Sequence, residues 1–101
     1  HDMGQLDLAI KHYQQALIIA RDICDQRNEG AWLGNLGLVY AELGLTEQAI
    51  KHHQRAWAIL EEIRSPIASQ IRNRLKILRI ANFLPAVFWR FLFEVIRIVD
   101  I

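Results

Sequence analysis

Residues 4–23 read GQLDLAIKHYQQALIIARDI, and residues 44–63 read GLTEQAIKHHQRAWAILEEI. Nine of the twenty aligned positions are identical at an offset of forty: Gly4/Gly44, Ala9/Ala49, Ile10/Ile50, Lys11/Lys51, His12/His52, Gln14/Gln54, Ala16/Ala56, Ile19/Ile59 and Ile23/Ile63. Unrelated segments of ordinary composition would share about one or two. A duplication at this stride marks a chain of stacked supersecondary units, each burying its apolar face against the next.

Each copy has a helical period. In the first, Leu6, Ala9, Ile10, Tyr13, Ala16, Leu17, Ala20 and Ile23 recur at spacings of three and four, which 3.6 residues per turn bring to one face. Asp7, Lys11, Gln14, Gln15 and Arg21 fall opposite. The second copy repeats the stripe with Ala49, Ile50, His53, Ala56, Trp57, Leu60 and Ile63. A further helix is predicted between them, from about Glu29 to Leu43, with Leu33, Leu36, Gly37, Tyr40 and Leu43 inward. Asn28 is its expected cap, and Gly44 stands where a left-handed residue would end it. Thr46 is expected to cap the following helix, with Glu47 favoured by the dipole in its first turn. Connections this short force neighbouring helices to run antiparallel.

The order of large and small residues through Leu33, Leu36, Gly37, Tyr40, Gly44, Ala49 and Ala56 resembles the tetratricopeptide repeat. Its length resembles the longer-period subtype with about forty residues per unit, as in kinesin light chain. The packing logic is plain: Gly37, Ala49 and Ala56 let paired helices approach, and Leu36 and Tyr40 fill what remains. The resemblance covers residues 4–63 and implies an all-α architecture, antiparallel helix pairs of a short α-solenoid. The chain opens at the second helix of a first unit, so one unit and a half are present. His53 stands where the family usually has an aromatic or large apolar residue, so it is expected to be partly wet or hydrogen-bonded.

Two segments follow the repeats. Residues 64–82 are predicted as a capping helix started by Ser65 and Pro66, with Ile67, Ile71, Leu75 and Leu78 inward and Arg72, Asn73, Lys76 and Arg79 elsewhere. At the forty-residue offset it would place Asn73 and Lys76 in the core, so either its register slips by about two residues or it is no true repeat. Residues 83–101 are predicted to form a final helix that is apolar over most of its circumference, broken by a thin stripe of Arg90, Glu94, Arg97 and Asp100, in which Arg90 and Glu94 stand at pairing distance. Such a surface requires cover. Three destinations fit it: its own array, a second copy of the chain, or a membrane surface. Four charges in sixteen residues argue against a span. Arrays normally need about three units for stability, which favours self-association as a homodimer through Phe88, Trp89, Phe91, Leu92, Val95, Ile96 and Val99.

Charge and chemistry narrow the function. Residues 1–63 hold five Lys/Arg against nine Asp/Glu, and residues 64–101 hold seven against two, so the two parts face different surroundings or attract each other. The single cysteine, Cys24, excludes an internal disulfide and fits a reducing, cytoplasmic setting; with no reactive motif around it, it reads as a small buried hydrophobe. With a polar, acidic N-terminus, no secretory leader is expected. His12 and His52 are equivalent positions one helix spacing apart, too far to share an ion, and His52 and His53 point about 100° apart. Glu61 and Glu62 have no convergent partner, and no phosphate loop or nucleophile elbow occurs. No cofactor and no enzymatic activity are expected. Arg72, Arg74, Lys76 and Arg79 lack the interleaved aromatics of a nucleic-acid surface.

The resemblance therefore implies a scaffold for a protein or peptide partner. In the family, the first helix of each unit lines the groove, and the matching positions are Ala31, Gly34, Asn35, Leu38 and Glu42. Asn35 resembles the groove asparagine that holds a bound peptide backbone, a role suited to an amide with both donor and acceptor. Arg74 and Leu78 are expected to extend this surface. A self-assembly module and a membrane-peripheral adaptor are the competing readings.

Overall fold

The computed structural model describes residues 3–82 together with 94, 95, 97 and 98. Four helices follow one another: α1 (Met3–Asp22), α2 (Gln26–Glu42), α3 (Thr46–Glu62) and α4 (Ala68–Ala81). There is no strand among the described residues. Each helix packs chiefly on its sequence neighbours, α1 on α2, α2 on α3 and α3 on α4, as expected of stacked helix pairs.

The bends between helices share one backbone device. Cys24, Gly44 and Arg64, twenty residues apart, all have a positive φ, of 57°, 79° and 57°. At each bend, this residue donates its N–H to the carbonyl three back: Cys24 to Arg21, Gly44 to Ala41, and Arg64 to Glu61. The next residue donates to the carbonyl five back: Asp25 to Ala20, Leu45 to Tyr40, and Ser65 to Leu60, at 2.8–2.9 Å. This is the Schellman arrangement, which satisfies carbonyls orphaned at a helix end. Gly44 adopts it freely, whereas a side chain there costs roughly 1–2 kcal/mol. Cys24 is exposed at this bend, not buried as expected, because the left-handed residue sits at the apex with its side chain turned outward.

Two helix starts differ from expectation. α2 begins at Gln26 and is capped by Asp25, whose carboxylate accepts from the Asn28 backbone N–H at 3.1 Å and from Asn28 Nδ2 at 2.7 Å. Asn28 is a donor to the cap rather than the cap itself; the charged acceptor three residues earlier competes better for the free N–H groups. α3 begins at Thr46, with Leu45 in the cap position and no side-chain cap bond. Ser65 Oγ does accept from Ile67 N–H, at 3.4 Å, but regular helix starts only at Ala68.

The core is continuous through the stack. Leu33, Leu36, Leu60 and Leu78 are fully enclosed, each stabilising by about 1.5–3 kcal/mol relative to exposure. Close approach depends on small residues. A Cβ at Gly30 would lie 2.6 Å from Leu60 Cγ, and one at Gly37 would enter the His53 ring. His53 is consequently wholly buried, although a partly wet ring was one expectation for it. Trp57, placed inward by the period, is instead exposed.

The buried face of α4 settles its register. Ala68, Ile71, Leu75 and Leu78 are buried and follow Gly30, Leu33, Gly37 and Tyr40 at an offset of thirty-eight. The two-residue slip keeps Asn73 half-buried and Lys76 exposed, not in the core. Near the C-terminus, Val95 is half-buried, and Arg97 pairs with Glu94 at 3.4 Å. Arg90, the partner anticipated for Glu94, lies outside the described residues.

Candidate functional site

On α2, four partly accessible residues share one face. Ala31, Asn35, Leu38 and Glu42 are all half-buried and recur at spacings of four, three and four, one face of a helix. The stripe spans twelve residues of α2, about 16 Å along the axis. It runs from a methyl through a carboxamide and an isobutyl group to a carboxylate. Leu38 also leans on the core cluster from its outer side, which fixes its position without removing it from solvent.

Other faces of α2 are engaged by the neighbouring helices. Towards α1, Trp32 stacks on Tyr13 with ring centroids 5.7 Å apart and planes 29° from parallel, and Arg21 pairs with Glu29 at 3.2 Å. Towards α3, the Tyr40 ring meets that of His52 at 4.8 Å. His52 Nδ1 donates to the Gln48 carbonyl at 2.7 Å. Its equivalent, His12, is exposed.

Gly34 and Leu78 are corrections to the expected surface. Gly34 is buried, and a Cβ built on it would meet Ile71 Cδ1 at 2.8 Å, so this glycine is the point where α2 and α4 touch. Leu78 is wholly enclosed in the core. Arg74 is half-buried on the same seam, its guanidinium near Gly34. Arg74 and Leu78 stand forty residues after Gly34 and Leu38, whereas the buried face of α4 follows that of α2 at thirty-eight. The small residue Ala68, aligned on Gly30, is the signal in the sequence that would have revealed this.

His53 is the one strongly perturbed group. Its Nδ1–H donates to the Ala49 carbonyl at 3.0 Å, while Nε2 is buried without a partner. Burial holds its pKa down at about 4, because a charged ring would lose its water; the nearby Arg74 and His52 push the same way and the Ala49 bond opposes them. A neutral imidazole wedged on Gly37 is a packing element. Among the described residues, no group of three His, Cys, Asp or Glu side chains is placed to hold a metal ion. Glu61 and Glu62 are exposed.

The helix pair with small residues at its crossing, repeated at a fixed stride, is the deciding observation, and the tetratricopeptide repeat family model matches residues 1–62. The chain belongs to the tetratricopeptide repeat family. No curated protein and no solved structure matches it. Tetratricopeptide repeats generally mediate protein–protein interaction. Of the residues anticipated for self-association, Val95 is half-buried; Phe88, Trp89, Phe91, Leu92, Ile96 and Val99 lie outside the described residues. Among the described residues, no helix is long and apolar enough to cross a membrane.

Proposed function

We propose that this chain is a protein-interaction module whose α2 stripe receives an extended segment of a partner. The observation carrying this reading is the stripe itself: Ala31, Asn35, Leu38 and Glu42 remain half-accessible on a helix that packs against α1 and α3. The Asn35 carboxamide has the donor and acceptor to bracket one backbone amide of the segment, and Leu38 supplies an apolar contact beside it. One complete groove helix offers less than the roughly 1,200 Å² of a stable interface, so binding is weak unless neighbouring repeats or a second copy add area. The forty-residue stride supports the long-period, kinesin-light-chain-like subtype, and the exposed thiol of Cys24 fits the cytoplasm.

The test is peptide selection from a random library, followed by backbone amide shifts on the bound protein. Selected peptides are expected to move the amides around Asn35 and Leu38, and Leu38→Asp is expected to weaken them about tenfold. Shifts confined to other helices, or full affinity in Leu38→Asp, would remove the α2 stripe as the site.

Self-association is the second reading. It is favoured by the exposed Leu8, Ile18 and Ile19 of α1 and Ile23 just after it, and by the apolar composition of residues 83–101. Light scattering coupled to gel filtration decides it, since a monomer at every concentration would exclude a homodimer.

A further inference from the structure

α1 carries outside the stack a face that its duplicate α3 uses inside it. Leu8, His12, Ile19 and Ile23 follow one another at spacings of four, seven and four, one face of a helix, and all four are exposed. Ile23 lies just past the end of α1 and continues its hydrogen bonding, its N–H donating to the Ile19 carbonyl at 3.1 Å. On α3, the equivalent Ile59 and Ile63 lean on the core, and His52 meets the Tyr40 ring. Lys11 and Asp22 flank the α1 face. They stand eleven residues apart, close to three whole turns, and so share one edge. Both are exposed, and among the described residues no hydrogen bond or ion pair engages either.

We infer that this face of α1 packs antiparallel on α1 of a second copy and forms the seam of a homodimer. The inference rests on the self-association reading and names its surface. With Leu8 set against Ile23 of the second copy, the same register sets His12 against Ile19. It also brings Lys11 within two residues, about 3 Å along the axis, of Asp22. A two-fold axis makes each of these contacts twice. Charge selects the direction: a parallel pair would bring Lys11 to Lys11 and Asp22 to Asp22, whereas the antiparallel pair joins opposite signs at both ends. A membrane surface fits less well. Helices that lie on lipid have a polar face rich in Lys and Arg, and α1 holds Asp7 and Asp22 against Lys11 and Arg21. A seam of one helix from each copy sits at the small end of stable interfaces, about 1,200 Å², so the dimer is expected to dissociate in the micromolar range.

Sedimentation equilibrium of the full chain over a range of concentrations reads the dimer directly. Ile19→Glu is expected to raise its dissociation constant about tenfold or more. Ile18→Glu is the control: Ile18 is equally exposed but turned about 100° away, and its change should leave the constant within about twofold. Lys11→Asp and Asp22→Lys should each weaken the dimer about fivefold at low salt, and Lys11→Asp/Asp22→Lys should restore it. Helical circular dichroism should be unchanged throughout, since all of these side chains are exposed; if Ile19→Glu lowers it, the charge exchange alone decides. A native chain that stays monomeric removes the self-association reading and the seam with it. A dimer that survives Ile19→Glu, or that Ile18→Glu weakens as much, keeps that reading and overturns the seam. Charge reversals that the double exchange does not rescue overturn the antiparallel pairing, and binding to phosphatidylserine vesicles that Ile19→Glu abolishes assigns the face to lipid instead.

Discussion

α1 and α3 are two copies of one helix in different surroundings. α3 lies between α2 and α4, and its Ala49, Ala56 and Leu60 are completely enclosed. α1 packs on α2, and the equivalent Ala9 and Ala16 are only half-buried. Ile59 and Ile63 lean on the core of the second unit, whereas their counterparts Ile19 and Ile23 are 60% and 67% exposed. The side chains hardly differ, so burial here belongs to the neighbour and not to the residue. In a stacked architecture the same small residue is structural in one unit and merely available in the next.

The largest expected difference between the copies lies at His53 and its counterpart Tyr13. The imidazole is neutral in the fold with a pKa of about 4 and has an ordinary value of 6.5 when unfolded. Its contribution is therefore complete above pH 6.5 and is lost as pH falls towards 4, because only the unfolded chain takes up the proton in that window. Denaturant titration should show about 2–3 kcal/mol more acid destabilisation between about pH 7 and pH 4.5 in the native chain than in His53→Phe. Identical pH profiles for the two would show that the ring charges inside the fold.

A second contrast sets Ala56→Leu against Ala16→Leu. The enclosed site has no room, so the change at Ala56 should cost about 2 kcal/mol, as overpacking generally does. At Ala16 the longer side chain points into space between Ile19 and Trp32, and the cost should be under about 0.5 kcal/mol. Equal midpoint shifts in urea would mean that α1 is covered as tightly as α3.

The smallest effect separates the bends. Cys24→Gly and Arg64→Gly should each stabilise by about 0.5 kcal/mol, relief of the left-handed backbone being partly offset by the freer unfolded chain. Gly44→Ala should destabilise by about 1 kcal/mol, and since nothing lies within 4 Å of a Cβ there, the whole cost is conformational. A neutral Gly44→Ala by thermal unfolding would contradict the assigned backbone.

Much of this was legible beforehand because the repeat carries it. The duplicated Ala9/Ala49 and Ala16/Ala56 announce two helices of one kind, and the pattern from Leu33 to Tyr40 places Ala31, Asn35, Leu38 and Glu42 on the outward face of α2. What stayed hidden has physical causes. Asp25 and Asn28 are both good caps, and only geometry shows which accepts and which donates. The stripe of α4 is narrow enough to suit more than one register: the period turns Leu78 inward and the forty-residue stride turns Arg74 and Leu78 outward, whereas one lies on a seam and the other in the core. Cys24 and Arg64 occupy a conformation that their side chains disfavour, and the stride of twenty through Gly44 was the only clue to it. The enclosure of His53 depends on Gly37 directly beneath it, a partner that no helical period names.

The bends have a consequence for how such a chain diversifies. Because main-chain hydrogen bonds turn it around at Cys24, Gly44 and Arg64, the apex side chain makes none of the bonds that hold the bend, and its identity costs only the left-handed backbone. The same corner displays a thiol, then bare backbone, then a cation, and the outline of the stack does not change. A row of outward corners, alike in shape and unlike in chemistry, is a place where new surface character can be acquired one residue at a time.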